Sequence, residues 1–509
     1  MLIALVLVLA GLGAILVTGR EGRVLDERSR AQAAETSTTT TTGSARIAAG
    51  RCRGVGIPID VDPHRVLRRH AAGTTFCLAA GVHRLSRPLR PQSGDALVGR
   101  PGAVLNGSAV LTGWQEEDGR WTTSGRLPPE PSDHGECLTE RPGCTLSEDV
   151  FIDGQRLARV LGVEEVATGS FYADYDRNTI TVGDDPEGRL VEQAVAPALV
   201  RSAGDRVTVR GLIIEKAANE AQAAAVDGRT VSPRTGSGWR VVGNVVRLNH
   251  GVGIGVGSAG VVRGNEVRDQ GQLGVSVWEK GALITGNVLA GNGVAGYDSE
   301  WEAGGLKAWE TENVKLVGND VHDNRGPGLW SDGGCHRTTY RRNVVTANWG
   351  AGIQHEISYD ALIVRNRLVD NGRRHKGWAW EAGIQIQSSG GLGIIAVKRN
   401  VVDGNANGIM VIQSGDRRTE WPAPHGPHVV RNVLVRRNRV SMHADQWTGL
   451  VHDIGNHDVF GRAIRFRANT YEVDTGSARH FAWKDDVLTF GEWQGPRADQ
   501  DRDGTLVVR

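Results

Sequence analysis

The stretch R-G-N-E-V-R-D-Q-G-Q-L-G-V-S-V, residues 263–277, decides how the chain is read. An Asn is followed two residues on by Val, five residues on by a side-chain amide, and then by a Gly-flanked apolar alternation. Near-copies are V-G-N-D-V-H-D-N-R-G-P-G-L-W at 317–330 and R-R-N-V-V-T-A-N-W-G-A-G-I-Q at 341–354. Eight anchoring asparagines fall at 244, 265, 287, 319, 343, 366, 400 and 438, giving steps of 21, 22, 32, 24, 23, 34 and 38. A basic unit of about 22 residues, built of short apolar alternations between turn residues and lacking helical periodicity, is the pattern of a solenoid of short strands. The expected fold class is all-β, a parallel β-helix whose coils stack about 4.8 Å apart around one shared core. Asn at a bend tolerates left-handed backbone and forms ladders between coils, so these asparagines are given no catalytic role.

Composition fits this reading, with 69 Gly, 5% aromatic residues and a net charge of +1. That balance excludes a nucleic-acid binder driven by bulk charge. Residues 2–17 are uninterrupted apolar and predict an export signal or a membrane anchor. The Ser/Thr tract 36–44 predicts a flexible stalk. Cys52 and Cys77 flank the first folded segment and Cys137 and Cys144 lie seven residues apart, so two disulfides in an oxidising compartment are expected, with Cys335 left over and buried. The protein is accordingly expected outside the cytoplasm, anchored through its N-terminal segment or secreted.

The chain divides on these grounds into an anchor or signal (1–19), a linker (20–45), a capping segment with the first coils (46–115), an inserted small β module (116–200), the β-helix core (201–440) and C-terminal coils with a tail (441–509). The module is expected where D-V-F-I-D-G-Q-R-L-A-R-V (149–160) and S-F-Y-A-D-Y-D-R-N-T-I-T-V (170–182) break the period. D-Q-D-R-D-G (499–504) lacks a calcium-loop pattern and is read as a solvated turn.

The segment 46–509 resembles the right-handed parallel β-helix proteins of the pectate-lyase-like superfamily. Within them it is similar to a bacterial group with G-P-G-L-W-x-D, here Gly326 to Asp332, and G-A-G-I-x-H-E-I-S-Y-D-A, here Gly350 to Ala361, ending in a tail like F-A-W (481–483) and W-Q (493–494). The resemblance implies a right-handed solenoid in a carbohydrate-active neighbourhood.

Alternate strand residues point in and out, so aligning the coils on Ile254, Val275, Leu306, Leu329, Ile353, Ile384 and Ile409 assigns side chains to columns. One outward column is Ser276, Lys307, Trp330, Gln354 and Gln385; the next is Trp278, Trp309, Asp332, Glu356 and Gln387. Asp332 and Glu356 then fall on adjacent coils, with carboxyls expected about 5 Å apart, beside Lys307 and Trp330 on the neighbouring column and above a platform of Trp309 and Trp278 of the kind sugar rings stack on; Trp330 is counted with the substrate-binding residues. The two longest breaks in the period both end in W-E-A-G, placing Trp301 with Glu302 and Trp380 with Glu381 as walls of a groove. Gln354, Gln385 and Gln387 complete its floor. His355 belongs to an inward column and is read as a core histidine steadying Glu356.

An extended polysaccharide is the expected partner. Three activities compete. In a glycoside hydrolase, Asp332 and Glu356 act as acid/base and nucleophile, and a separation near 5 Å means retention of configuration. In a calcium-assisted lyase, E-W-E-A-G-G-L-K supplies Glu300 and Glu302 for the metal and Lys307 as the base, a spacing similar to the Glu-x-Glu-x4-Lys of the chondroitinase B and alginate lyase family. That family needs an arginine about one coil later, where this chain has Ser331 and Asp332, with Arg325 a loose substitute. The third is a non-catalytic glycan-binding or scaffold protein. Hydrolysis is ranked slightly above elimination.

Overall fold

The computed structural model describes residues 52–229, 236–374, 377–414, 423–454 and 463–509. The apolar segment 2–17 and the Ser/Thr tract lie outside the described residues. Among the described residues no helix is long and apolar enough to cross a membrane.

Each coil contributes three short strands, and strands of successive coils pair in parallel. The coil that opened the sequence reading shows the plan: Val261–Arg263, Glu266–Arg268 and Leu273–Lys280 each join a different sheet. The three sheets hold 13, 13 and 12 strands. The sheet containing Leu273–Lys280 is called the third sheet below. Its register runs Ile254↔Val275↔Leu306↔Leu329↔Ile353↔Ile384↔Ile409, the alignment expected from the sequence. These seven side chains are buried and form part of one core running from Ile57 to Ala498. Burying each such aliphatic side chain is worth about 1.5–3 kcal/mol, and no single coil could do it alone.

Two bends per coil are held by amide ladders. In the first, both the backbone N–H and the Nδ2 of Asn265 donate to Asn287 Oδ1 at 3.0 Å, and the same pair of bonds links each rung to the next, as from Asn319 to Asn343. The residue before each rung has positive φ: Gly243, Gly264, Gly286 and Gly318, then Arg342, Arg365, Arg399 and Arg437. A second ladder, five residues on, joins Asn249, Gln270, Asn292, Asn324, Asn348, Asn371 and Asn405.

The first ladder does not end at Asn438. It continues to Asn469, whose N–H and Nδ2 donate to the two carboxylate oxygens of Asp501 at 3.1 and 2.7 Å. The tail around Asp501 is therefore not the solvated turn expected. Asp501 and Gln500 are buried, and Thr505–Val508 pairs with Thr470–Val473 as a last strand. At the C-terminal end of the core a short helix, Phe490–Gln494, opens on a capping box between Thr489 and Glu492 and lays Trp493 against Phe466 and Phe481. This closes an end that would otherwise expose apolar core and strand edges.

The inserted module consists of a four-stranded and a five-stranded sheet with a small core of its own, including Val150, Phe171, Ile180 and Val182. Its strands run from Ser108 to Ala194, so it starts and ends earlier than the expected 116–200. Two disulfides form, Cys52–Cys77 and Cys137–Cys144. The first staples the opening coil. The second closes a loop that packs on the solenoid through an isolated bridge between Cys137 and Tyr297. Cys335 is a buried free thiol, as expected.

Candidate functional site

The outward face of the third sheet carries the polar and aromatic columns. Ser276, Lys307, Trp330, Gln354 and Gln385 are cross-strand neighbours in order, as are Trp278, Trp309 and Asp332, and Glu356 with Gln387. Two clefts open along this face. A cleft of about 650 Å³ is lined by Trp278, Lys307, Trp309, Asp332, Glu302 and Trp301. A neighbouring one of about 430 Å³ is lined by Glu356, Gln354, Gln385, Gln387, Trp380 and Glu381. Glu300 is exposed and lines both.

The floor of the larger cleft is a buried charge triad. Lys307 Nζ lies 3.1 Å from Glu302 Oε2 and 3.1 Å from Asp332 Oδ2. Glu302, Lys307 and Asp332 are 6%, 4% and 7% exposed, so water screens them little. Burial alone would pull the ammonium down, but the two carboxylates overcome it and hold Lys307 above the ordinary lysine range. Asp332 is shifted the other way from most paired acids: burial pushes it above the ordinary carboxylate range, against the attraction of Lys307 and the N–H of Gly333. Two carboxylates share one cation here: repulsion from Glu302 adds to the burial that raises Asp332, while Lys307 opposes it.

The expected pairing of Asp332 with Glu356 is not what the side chains do. Asp332 turns to Lys307 on the preceding coil. Glu356 accepts hydrogen bonds from Trp330 Nε1 at 3.1 Å, Gln354 Nε2 at 2.8 Å and Gln387 Nε2 at 2.9 Å. The two acids share none of these partners and line separate clefts. Trp330 stands between them, with Lys307 Nζ 4.0 Å from its ring centre. At 2% exposure Trp330 lines neither cleft. Trp278 and Trp309 are partly exposed in the larger one.

The two W-E-A-G loops differ. The first winds into a short helix, Ser299–Glu302, capped by Asp298, and turns Glu302 down into the triad. The second has Glu381 at positive φ, its N–H donating to Gln385 Oε1 at 2.9 Å, so Trp380 and Glu381 stand at the rim of the smaller cleft. His355 is inward and buried, as expected, but it does not touch the Glu356 side chain. It meets the Tyr359 carbonyl at 2.7 Å and the Tyr340 hydroxyl at 3.5 Å, and burial pulls it down to about 4, leaving a neutral core imidazole.

In the lyase reading Glu300 and Glu302 are the candidate calcium ligands. Among the described residues no group of three or more His, Cys, Asp or Glu side chains converges to hold a metal ion. Glu302 is engaged by Lys307 and by Gln222 Nε2 at 3.1 Å. This donor set does not make a calcium shell, which needs six to eight oxygens. Arg325, the substitute for the lyase arginine, lines neither cleft.

Several residues in or beside the larger cleft were not legible in the repeat. Gln222 and Arg229 precede its first copy at Asn244; Arg229 Nη1 donates to Ser276 Oγ at 3.0 Å and the guanidinium lies 5.2 Å from the Trp278 ring. Glu136 reaches the larger cleft from the inserted module. Only the chain's path around the solenoid brings these together.

A family model described as a right handed beta helix region matches residues 231–420. The fold is a right-handed parallel β-helix. Among solved structures, one titled as the complex of XylC with xylose is 16% identical, covers 75% of this chain and 80% of its own, and superposes with a TM-score of 0.56. The catalytic unit of a thermostable GH87 α-1,3-glucanase from Streptomyces thermodiastaticus is 11% identical, with 90% and 68% covered and a TM-score of 0.41. The periplasmic alginate epimerase AlgG is 13% identical, with 89% and 83% covered and a TM-score of 0.41. At these identities the likeness is one of fold. No curated protein matches the chain.

Proposed function

We propose that this face binds an extended polysaccharide outside the cytoplasm and hydrolyses it, with Asp332 as the general acid. The observation that carries the reading is the buried Glu302–Lys307–Asp332 triad on the floor of a tryptophan-walled cleft. Burial and the neighbouring Glu302 carboxylate raise Asp332 above the ordinary carboxylate range, the direction required of a carboxylic acid that is to protonate a glycosidic oxygen. Trp278 and Trp309, aligned on adjacent coils, offer stacking surfaces along the chain direction. Glu356 lines the neighbouring cleft, held by three donors, and is tested separately. The two disulfides fit an oxidising compartment.

Elimination is less well supported. A lysine that removes a proton beside a uronate carboxylate must be neutral, and Glu302 with Asp332 keep Lys307 as an ammonium.

The test is a polysaccharide panel assayed for reducing ends and for the ultraviolet absorbance of unsaturated products, using the parent chain, Asp332→Asn and Glu356→Gln. Hydrolysis predicts new reducing ends without unsaturation, lost in Asp332→Asn. Unsaturated products would establish a lyase instead. Binding without any product would leave a glycan-binding protein and sink the catalytic reading.

A further inference from the structure

Past Glu136 the disulfide-closed loop leaves the tryptophan cleft, and its residues 140–144 line a separate cavity of about 360 Å³ between the inserted module and the solenoid. Four guanidiniums reach it: Arg141 and Arg156 with Arg159 from the module side, and Arg325 from the solenoid. The acids there are few and mostly engaged. Asp149 lies 3.2 Å from Arg156 Nε and 3.2 Å from His250 Nδ1, and Glu140 lies 3.3 Å from Arg374. Glu165 lies at the rim. Arg159 is taken up by the carbonyls of Leu146 and Glu148 and by the face of Phe171.

Arg141 and Arg325 are left over. Among the described residues neither has a carboxylate within ion-pair distance; Arg325 rests its guanidinium 5.4 Å from the ring of Trp349. Both arginines pack where glycine makes room. A Cβ at Gly296, φ +97°, would come within 2.4 Å of Arg141 Cβ, and one at Gly293, φ +95°, within 3.0 Å of Arg325 Cβ. The walls are fixed, since His250 Nε2 lies 2.8 Å from the Cys144 carbonyl oxygen and Leu138 N–H donates to the Gly296 carbonyl at 2.9 Å. Burial, then the nearby charges of Arg141 and Arg156, pull Arg325 below the ordinary arginine range, the mark of positive charge converging without a counter-ion.

We propose that this cavity is an oxyanion-binding site in which Arg141 and Arg325 together take a carboxylate, sulfate or phosphate group. Planar guanidiniums match such groups with paired charge-assisted hydrogen bonds. The cavity is large enough for one charged sugar ring as well as for a free anion. The site stands apart from the chemistry assigned to Asp332 and does not depend on it.

Isothermal titration of the full chain with sodium sulfate, sodium phosphate, an oligogalacturonate and a neutral oligosaccharide of equal length tests the site. At least one anion is expected to bind, more weakly as salt is raised, with affinity falling about tenfold or more in Arg141→Gln and in Arg325→Gln. Arg325→Lys is expected to restore part of it, which a mere folding defect would not. Binding of the oligogalacturonate but not the neutral chain identifies a glycan acid as the source; binding of inorganic anions alone identifies a free oxyanion. Asp332→Asn is expected to leave these affinities unchanged, so failure of the hydrolytic reading and failure of this one are separable. Absence of anion binding at tens of millimolar, or anion binding indifferent to both Gln variants, would overturn the proposal.

Discussion

Trp330 donates its indole N–H to Glu356 at 3.1 Å. The same ring lies under the Lys307 ammonium, 4.0 Å from its centre. One buried side chain thus orients both charged centres of the face. Trp330→Phe keeps a ring beneath the ammonium and removes the donor. Loss of about 1–2 kcal/mol of stability is expected, measured by urea denaturation, together with a fall in turnover exceeding the fall in glycan affinity. Unchanged turnover would show that Glu356 needs no such orientation.

Lys307→Met leaves Glu302 and Asp332 buried without their cation. A loss of about 3–5 kcal/mol is expected from the single change. Adding Glu302→Gln and Asp332→Asn should recover most of it, because the neutral set no longer buries uncompensated charge. A double-mutant cycle by chemical denaturation measures this coupling; simple additivity would mean that water reaches the triad.

The raised Asp332 has a stability signature. Its contribution is fully present below the unfolded carboxylate value of 3.8 and is lost as pH rises through the higher folded value. Asp332→Asn, which abolishes that titration, is expected to melt higher than the parent at neutral pH, with the gap closing in acid. Melting temperature against pH for the two proteins decides it, and a stabilised but inactive variant would bear the mark of a functional acid.

Asp149 behaves oppositely. Burial would raise it, but Arg156 and His250 bring it down from 3.8 to about 2. Its stabilising share is present above 3.8 and is lost as pH falls toward 2, about 2 kcal/mol in all. Asp149→Asn should therefore flatten the acid limb of the stability curve in that window. A parent and a variant with parallel acid limbs would count against this pairing.

Asn319 sits mid-ladder, accepting from the N–H and Nδ2 of Asn287 and donating through Nδ2 to Asn343 and the Ile284 carbonyl. Asn319→Ala strands buried donors on one side and acceptors on the other. A cost of about 3 kcal/mol is expected by chemical denaturation. A near-neutral result would mean that water enters the bend.

What could be read from the sequence divides along the repeat. Columns follow from a period-2 alternation tied to a recurring bend, so the whole register from Ile254 to Ile409 was legible, as were Trp278, Trp309 and Lys307 on one face. Rotamers were not. Backbone register placed Asp332 beside Glu356, but Lys307 drew one carboxylate away and three neutral donors held the other. Glu136, Gln222 and Arg229 were missed because no local pattern links them to the repeat. The tail misled for a related reason: D-Q-D-R-D-G is hydrophilic, yet Asp501 is buried because Asn469 needs an acceptor.

That acceptor gives the solenoid a direction. Every rung from Asn244 onward donates its backbone N–H and one Nδ2 hydrogen to the next rung toward the C-terminus, and a carboxylate, which has none to pass on, ends the series. A coil duplicated anywhere inside the stack would find a complementary rung above and below it. A chain cut short at any coil would leave the last rung's N–H and one Nδ2 hydrogen without their acceptor. The architecture therefore grows by internal duplication while its terminator stays in place, and the outward face of the third sheet can be lengthened one coil at a time without redesigning either end.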